Sequence, residues 1–359
     1  MHSGTAEPQF ARSRSAAPAA AWTFYALSIV AFATFGAACS HHSLEPVVTQ
    51  APYYRWINDE PEWSPSGRYI LYNHYPQTDV ELANGVFQIW SLDLATGATQ
   101  FRAAGSNAQW MDSDAAFTFS TSGIYRFDLA SSQEALLLAC GGAAQTSPDG
   151  RLLAMIGSCS SVGGPGPALF DLATNSGRAI DSLGAGWVGS PSWSPDGTQL
   201  ALSHIFDSSG FEHLCVVDTS GGTITPLTTI DALFEDRSAT WTRDGSWIYW
   251  DRLGVSGYDS ESGIWRVHPD GTGAQMVVQG GFYPTFAPGD TAMAFTKFDS
   301  LHVFNIWISD KDGGHQRRLF AASDSSAAAL APPSLGAASP EAAYLLQQHG
   351  RLTSTDSRR

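Results

Sequence analysis

The stretch PSWSPDGTQLALSH (191–204) decides the fold. Pro-Asp-Gly is a tight-turn signal: Pro fixes φ, Asp bonds its own backbone and Gly tolerates positive φ. The residues after the turn are apolar on both faces instead of alternating, as in a strand covered on two sides. A second apolar strand, HLCVVD, follows at 213–218 and ends in Asp218; a third, ITPLTT, comes after a polar turn.

The same unit recurs along the chain. Trp193 has counterparts at Trp63, Trp110, Thr146, Trp241 and Phe286, with successive spacings of 47, 36, 47, 48 and 45 residues. The turns after these anchors read SPSG, MDSD, SPDG, SPDG, TRDG and APGD, so the second copy is the most degenerate. A four-stranded unit that is apolar on both faces cannot bury itself, and its copies must stack. Radial stacking protects the edges. The spacing therefore predicts an all-β, six-bladed β-propeller of four-stranded antiparallel blades over residues 61–320.

These motifs resemble the propeller repeats of the TolB-like family, a branch of the WD-repeat-like propellers. The resemblance covers the repeats alone. It implies a cell-envelope binding or scaffolding protein whose partner is an envelope protein or a peptidoglycan-associated one. TolB carries a smaller α/β domain ahead of its propeller; here about 20 residues separate Cys39 from the first repeat. Some propellers of this look are metal-dependent polysaccharide lyases, which stands as the alternative reading.

The N-terminus carries an export signature. Arg12 and Arg14 precede the uncharged run from Ala19 to Ala38, and small residues lead into Cys39. Gly36-Ala37-Ala38-Cys39 resembles a lipobox, although Gly36 stands where a larger aliphatic residue is usual. The favoured reading is a signal peptide over 1–38, lipidation of Cys39 and a tether over 39–60, which ties the protein to the periplasmic face of the outer membrane. Cleavage without a lipid and an uncleaved anchor, as in a sensor ectodomain, are the other readings. Residues 321–359 are rich in Ala, Ser and Pro and read as a disordered tail.

Net charge is −15, and no Lys/Arg run exceeds two residues. A nucleic-acid partner needs a basic face and is excluded on that ground. Of the four cysteines, Cys140 and Cys159 fall where the crossing into the third repeat and the loop after its second strand emerge on one rim. A disulfide between them is expected in an exported protein. Cys215 reads as a small core residue.

No catalytic residue, cofactor or metal-ligand set is read from the sequence. There is no nucleophile elbow, no Cys-x-x-Cys, no His-Glu-x-x-His and no phosphate-cradling loop. The aspartates at the turns and strand ends recur in nearly every copy, so they serve the fold of the copy. Binding is expected on the rim with the long, unequal loops. From loop position, the candidate contact residues are Trp56, Asp59, His74, Tyr75, His204, Phe206, Arg252, Tyr258 and Lys297. His74, His204, Arg252 and Lys297 each follow their anchor by 11 residues, a set that reads as an anion- or partner-binding rim. His74 and His204 fall on opposite sides of a six-fold ring, roughly 20 Å apart from a strand spacing of about 4.8 Å, too far to share a metal. His204 with His213 is the closer pair.

Overall fold

The computed structural model describes residues 56–76, 87–159, 164–180, 186–221, 223–254, 259–298 and 304–320. All lie in the unit Pro52–Arg359. The segment 1–38, Cys39 and the segment 321–359 lie outside the described residues. Among those described, no helix is long and apolar enough to cross a membrane.

Among the described residues, twenty-four strands form six four-stranded antiparallel sheets. Blade 1 comprises β1 (Trp56–Trp63), β2 (Tyr69–Pro76), β3 (Gln88–Asp93) and β4 (Thr99–Ala104). Blade 2 comprises β5 (Ser106–Trp110), β6 (Ala116–Ser120), β7 (Ile124–Asp128) and β8 (Gln133–Leu138). Blade 3 comprises β9 (Ala143–Thr146), β10 (Leu152–Cys159), β11 (Gly164–Asp171) and β12 (Ser176–Ala179). Blade 4 comprises β13 (Trp187–Trp193), β14 (Gln199–His204), β15 (His213–Asp218) and β16 (Ile224–Pro226). Blade 5 comprises β17 (Phe234–Trp241), β18 (Ile248–Gly254), β19 (Gly263–Val267) and β20 (Gln275–Gln279). Blade 6 comprises β21 (Gly281–Phe286), β22 (Met293–Phe298), β23 (Phe304–Ser309) and β24 (Arg317–Arg318).

The six-bladed propeller read from the repeats is therefore the fold. Each anchor is the last residue of its blade's first strand. β1 begins at Trp56, so residues 56–60, read as the end of the tether, form the rim half of that strand.

The turn after each anchor shows why its residues recur. Ser194 Oγ donates to Asp196 Oδ1 at 2.6 Å and accepts from Gln199 N at 2.9 Å. Asp196 also accepts from Thr198 N, and Gly197 sits at φ +72°. Ser147/Asp149 and Thr242/Asp244 repeat the arrangement. At the strand ends, Asp93 and Asp171 accept backbone N–H groups two and three residues on. The recurrent aspartates hold turns.

Each pair of neighbouring blades encloses its own apolar cluster. Leu200, Leu202, Cys215 and Val217 of blade 4 meet Ala154, Ile156 and Leu169 of blade 3. Ala201, Leu214 and Val216, on the opposite face of blade 4, meet Trp241, Ile248 and Trp250 of blade 5. Burying one such side chain contributes about 1.5–3 kcal/mol, which explains strands that are apolar on both faces. Among the described residues, each blade is built from four strands consecutive in the chain. The ring closes where Trp63 and Ile70 of blade 1 pack on Ala287, Ala294 and Ile308 of blade 6. Across that junction Glu60 N donates to Thr296 Oγ1 at 3.2 Å and Trp63 N to Thr285 Oγ1 at 3.3 Å.

Candidate functional site: the axial cavity

The first strand of every blade contributes to one cavity of about 170 Å³ on the ring axis. The residue before each anchor is polar in all six blades: Glu62, Gln109, Gln145, Ser192, Thr240 and Thr285. Several of these side chains hold the next blade. Gln145 Oε1 accepts from Trp193 N at 3.0 Å, and Ser192 Oγ accepts from Trp241 N at 3.2 Å. Gln145 also donates to Gln109 at 3.1 Å, and Thr285 Oγ1 donates to Glu62 at 3.3 Å. The indoles follow the same logic: Trp110 Nε1 donates to Glu62 O and Trp193 Nε1 to Gln145 O.

Toward the loop-rich rim the inner strands change direction. Register shifts interrupt five of them: β1, β5, β13, β17 and β21. In four blades a non-glycine residue there adopts a left-handed backbone: Glu60 (φ 46°), Asn107 (51°), Ser238 (50°) and Tyr283 (53°). Such residues carry strain of the order of 1–3 kcal/mol, and bulges of this kind re-aim side chains. All four line the cavity.

The wall is uneven. Ala143, Gly189 and Ser190 leave room on the side of blades 3 and 4, while Glu60, Glu62, Arg237 and Tyr283 crowd the side of blades 5, 6 and 1. Arg237 pairs with Glu212 at 3.1 Å and with Glu235. Asn73 Nδ2 donates to Glu60 at 2.7 Å. Burial pushes the Glu62 carboxyl up to about 7, against the opposing pull of Arg243 and the Thr285 hydroxyl. Burial also raises Asp59, reinforced by the charge on Glu60, and raises Asp251. The Tyr283 phenol is held well above its usual range by burial and by the surrounding carboxylates. Clustered perturbed groups around a cavity mark a functional-site candidate. The lining carries more acid than base, so it suits a ligand with a cationic or hydrogen-donating end. Among the described residues, no three His, Cys, Asp or Glu side chains converge as a metal-binding group.

None of the residues read from loop position is among those that line the cavity, and several of those described are turned into the blades. Asp59 is buried and accepts from the Tyr75 hydroxyl, so the two meet inside blade 1. His74 lies opposite Asn58, 2.7 Å from its Oδ1, with the Trp90 ring at 5.2 Å. Burial lowers His74 to about 4. Arg252 occupies the equivalent place in blade 5. It grips buried Asp236 through two bonds, 2.7 and 3.0 Å, between the rings of Phe234 and Trp265. Lys297 donates to Gln316 at 3.0 Å. His204 is buried against Phe206, ring centroids 4.7 Å apart. The set shares one register, and in blades 1 and 5 its members are engaged within their own blade. The Trp56 side chain and Tyr258 lie outside the described residues, as does the Cys159 side chain. Cys140 is disulfide-bonded, and Cys215 is a buried thiol. Continuing the β9–β10 register, in which Ile156 faces Ala143, sets Cys159 opposite Cys140. A Cβ on Gly142 or Gly157 would strike the facing backbone, so the two strands approach closely just below that pair.

Loop-based reasoning passed over Glu60, Glu62, Arg237 and Tyr283. A signal for the cavity wall was present: the unbroken polarity of the position before each anchor.

No family model matches the chain. Among curated proteins it is 27% identical over 188 residues to the uncharacterized protein Atu1656 of Agrobacterium fabrum, covering 48% of this chain and 59% of that protein. Among solved structures, TolB from Acinetobacter baumannii matches with a TM-score of 0.54 at 15% identity, over 72% of this chain and 62% of that one. The chain thus spans about three-fifths of the length of both. An oligogalacturonate lyase in complex with manganese matches with a TM-score of 0.52 at 15% identity, over 75% of this chain and 78% of that one. At this level of identity the likeness to TolB and to the lyase is one of fold alone.

Proposed function

We propose that this protein is an exported cell-envelope propeller that works by binding, with the acidic mouth of the axial cavity as its contact site. One observation carries the reading: the half-buried carboxyls of Glu60, Glu62 and Glu212 and left-handed residues from four blades line a preformed cavity. A rigid ring lowers the ordering cost of binding. The partner is an envelope protein or a peptidoglycan-associated one that presents a cationic group to Glu60, Glu62 and Glu212. Export is supported by the apolar run ending at Ala38 and by a disulfide at Cys140, since such bonds persist in oxidising compartments. Cys159 is the proposed partner of Cys140, and Cys39 the proposed lipid site that tethers the ring to the outer membrane.

A photo-reactive residue at Asn107, on the cavity wall, tests the contact in living cells. Cross-links to an envelope component that disappear in Glu60→Gln/Glu62→Gln support the reading. Cross-links unaffected by that variant, or none, remove the cavity from it. Intact mass of the membrane-extracted protein tests the tether: an acylated chain starting at Cys39 is expected, and a full-length chain would show an uncleaved anchor instead.

The fold shared with the oligogalacturonate lyase motivates a second reading, a polysaccharide lyase. Incubation with oligogalacturonate, with and without manganese, separates the two, because a lyase leaves unsaturated uronate ends.

A further inference from the structure

On the blade 4 face that meets blade 3, cross-strand neighbours descend in register: His204 opposite His213, then Leu202 opposite Cys215, then Leu200 opposite Val217. An apolar ladder thus ends, at the loop-rich rim, in two imidazoles. Directly opposed residues hold their Cβ atoms about 4.5–5.5 Å apart, close enough for two imidazoles to reach one ion through metal–nitrogen bonds of about 2.0–2.1 Å.

His204 is 5% exposed and His213 is 0% exposed. Among the described residues, neither ring nitrogen of His213 has a hydrogen-bond partner. A neutral imidazole carries one donor and one acceptor, and buried polar groups in native folds are rarely left unsatisfied. Phe206 stands edge-on to His204 and closes one side. Asp207 follows in the adjoining loop; its carboxyl is held below the usual range mainly by the Ser209 hydroxyl and backbone N–H, with His213 adding a smaller pull.

We propose that His204 and His213 together bind one imidazole-preferring divalent cation of the Zn²⁺, Cu²⁺ or Ni²⁺ class at the rim of blade 4. Two imidazoles without a converging carboxylate cluster favour these ions over the oxygen-seeking Mg²⁺, Ca²⁺ and Mn²⁺. Water, or Asp207 after a movement of its loop, completes the coordination. The bound ion pins both ends of the 205–212 loop. Glu212, at the end of that loop, lines the axial cavity and pairs with Arg237, so the clip also steadies one wall of the cavity.

The test titrates Cu²⁺ and, separately, Zn²⁺ into the metal-stripped full chain at neutral pH. Calorimetry gives stoichiometry and affinity, and electron paramagnetic resonance counts the nitrogens on copper. One ion per chain with two imidazole nitrogens is expected. His204→Asn and His213→Asn should each weaken binding at least about tenfold while circular dichroism stays that of the native sheet. His74→Asn, the register-equivalent residue of blade 1, and His41→Ala/His42→Ala in the N-terminal segment should leave binding unchanged. The proposal is overturned if the native chain binds no ion at one-to-one stoichiometry. It also fails if the copper spectrum lacks two imidazole nitrogens, if both blade 4 variants bind as the native chain does, or if the His41/His42 variant abolishes binding. Should one blade 4 variant misfold, the other variant and the native spectrum still decide.

Discussion

Glu62 stands where the other five blades place Gln, Ser or Thr, so it brings an ionisable group into the polar ring around the axis. Its folded value of about 7 exceeds the 4.5 of an ordinary glutamate. An acid raised in this way favours the folded state below its unfolded value, and the contribution is lost as pH rises through the folded value. Stability should therefore fall between pH 4.5 and 7, by up to about 3 kcal/mol at 1.36 kcal/mol for each pH unit. Asp59 and Asp251 act in the same direction. The turn aspartates, lowered from 3.8, act in the opposite sense but below pH 4. Glu62→Gln should flatten the slope and leave the protein more stable than native at pH 8, as measured by denaturant unfolding at pH 5 and 8. Arg252 gives a second prediction. Removing it leaves Asp236 buried without its cation, so Arg252→Ala should cost about 3–5 kcal/mol. Equal melting curves for native and variant would contradict this.

At the scale of the strand and its turn, the anchor tryptophans differ in a way that can be measured. Trp193 donates its indole N–H to Gln145 O at 2.9 Å, whereas the Trp241 indole N–H has no partner among the described residues. Trp193→Phe should therefore cost about 1 kcal/mol more than Trp241→Phe, the worth of one hydrogen bond. Paired unfolding curves check the difference. The blades were legible in the sequence because the turn chemistry and the two-faced apolar strands repeat, and even MDSD forms its turn, with Met111 N bonded to Ala116 O. The site was less legible. Glu60 and Tyr283 reach the cavity on left-handed backbone at the register shifts of the inner strands, and no residue pattern in the sequence marks those shifts. The rim residues chosen from loop length turned inward because partners such as Asn58 and Asp236 come from the first strand, which no reading of the loops brings into view.

For the whole molecule, the proposed Cys140–Cys159 bond ties the inner strand of blade 3 to its neighbour. Cys140→Ser/Cys159→Ser, or reduction, should lower stability by about 3 kcal/mol, the size expected for a loop of this length. A peptide map without reductant should show the two residues linked. A map that joins Cys140 to another cysteine would reassign the bond.

Every blade is made of its own four consecutive strands, and the last described ring, Phe320, lies 5.1 Å from Tyr72 in blade 1. Which blade is written first along a gene is therefore arbitrary as far as the ring is concerned, provided that neighbours stay neighbours. A coding sequence cut between any two blades and rejoined through a short linker from blade 6 to blade 1 would still specify six whole sheets. A tandem duplication of one repeat would insert a complete blade without splitting a neighbour, which is a simple genetic route by which such a ring grows.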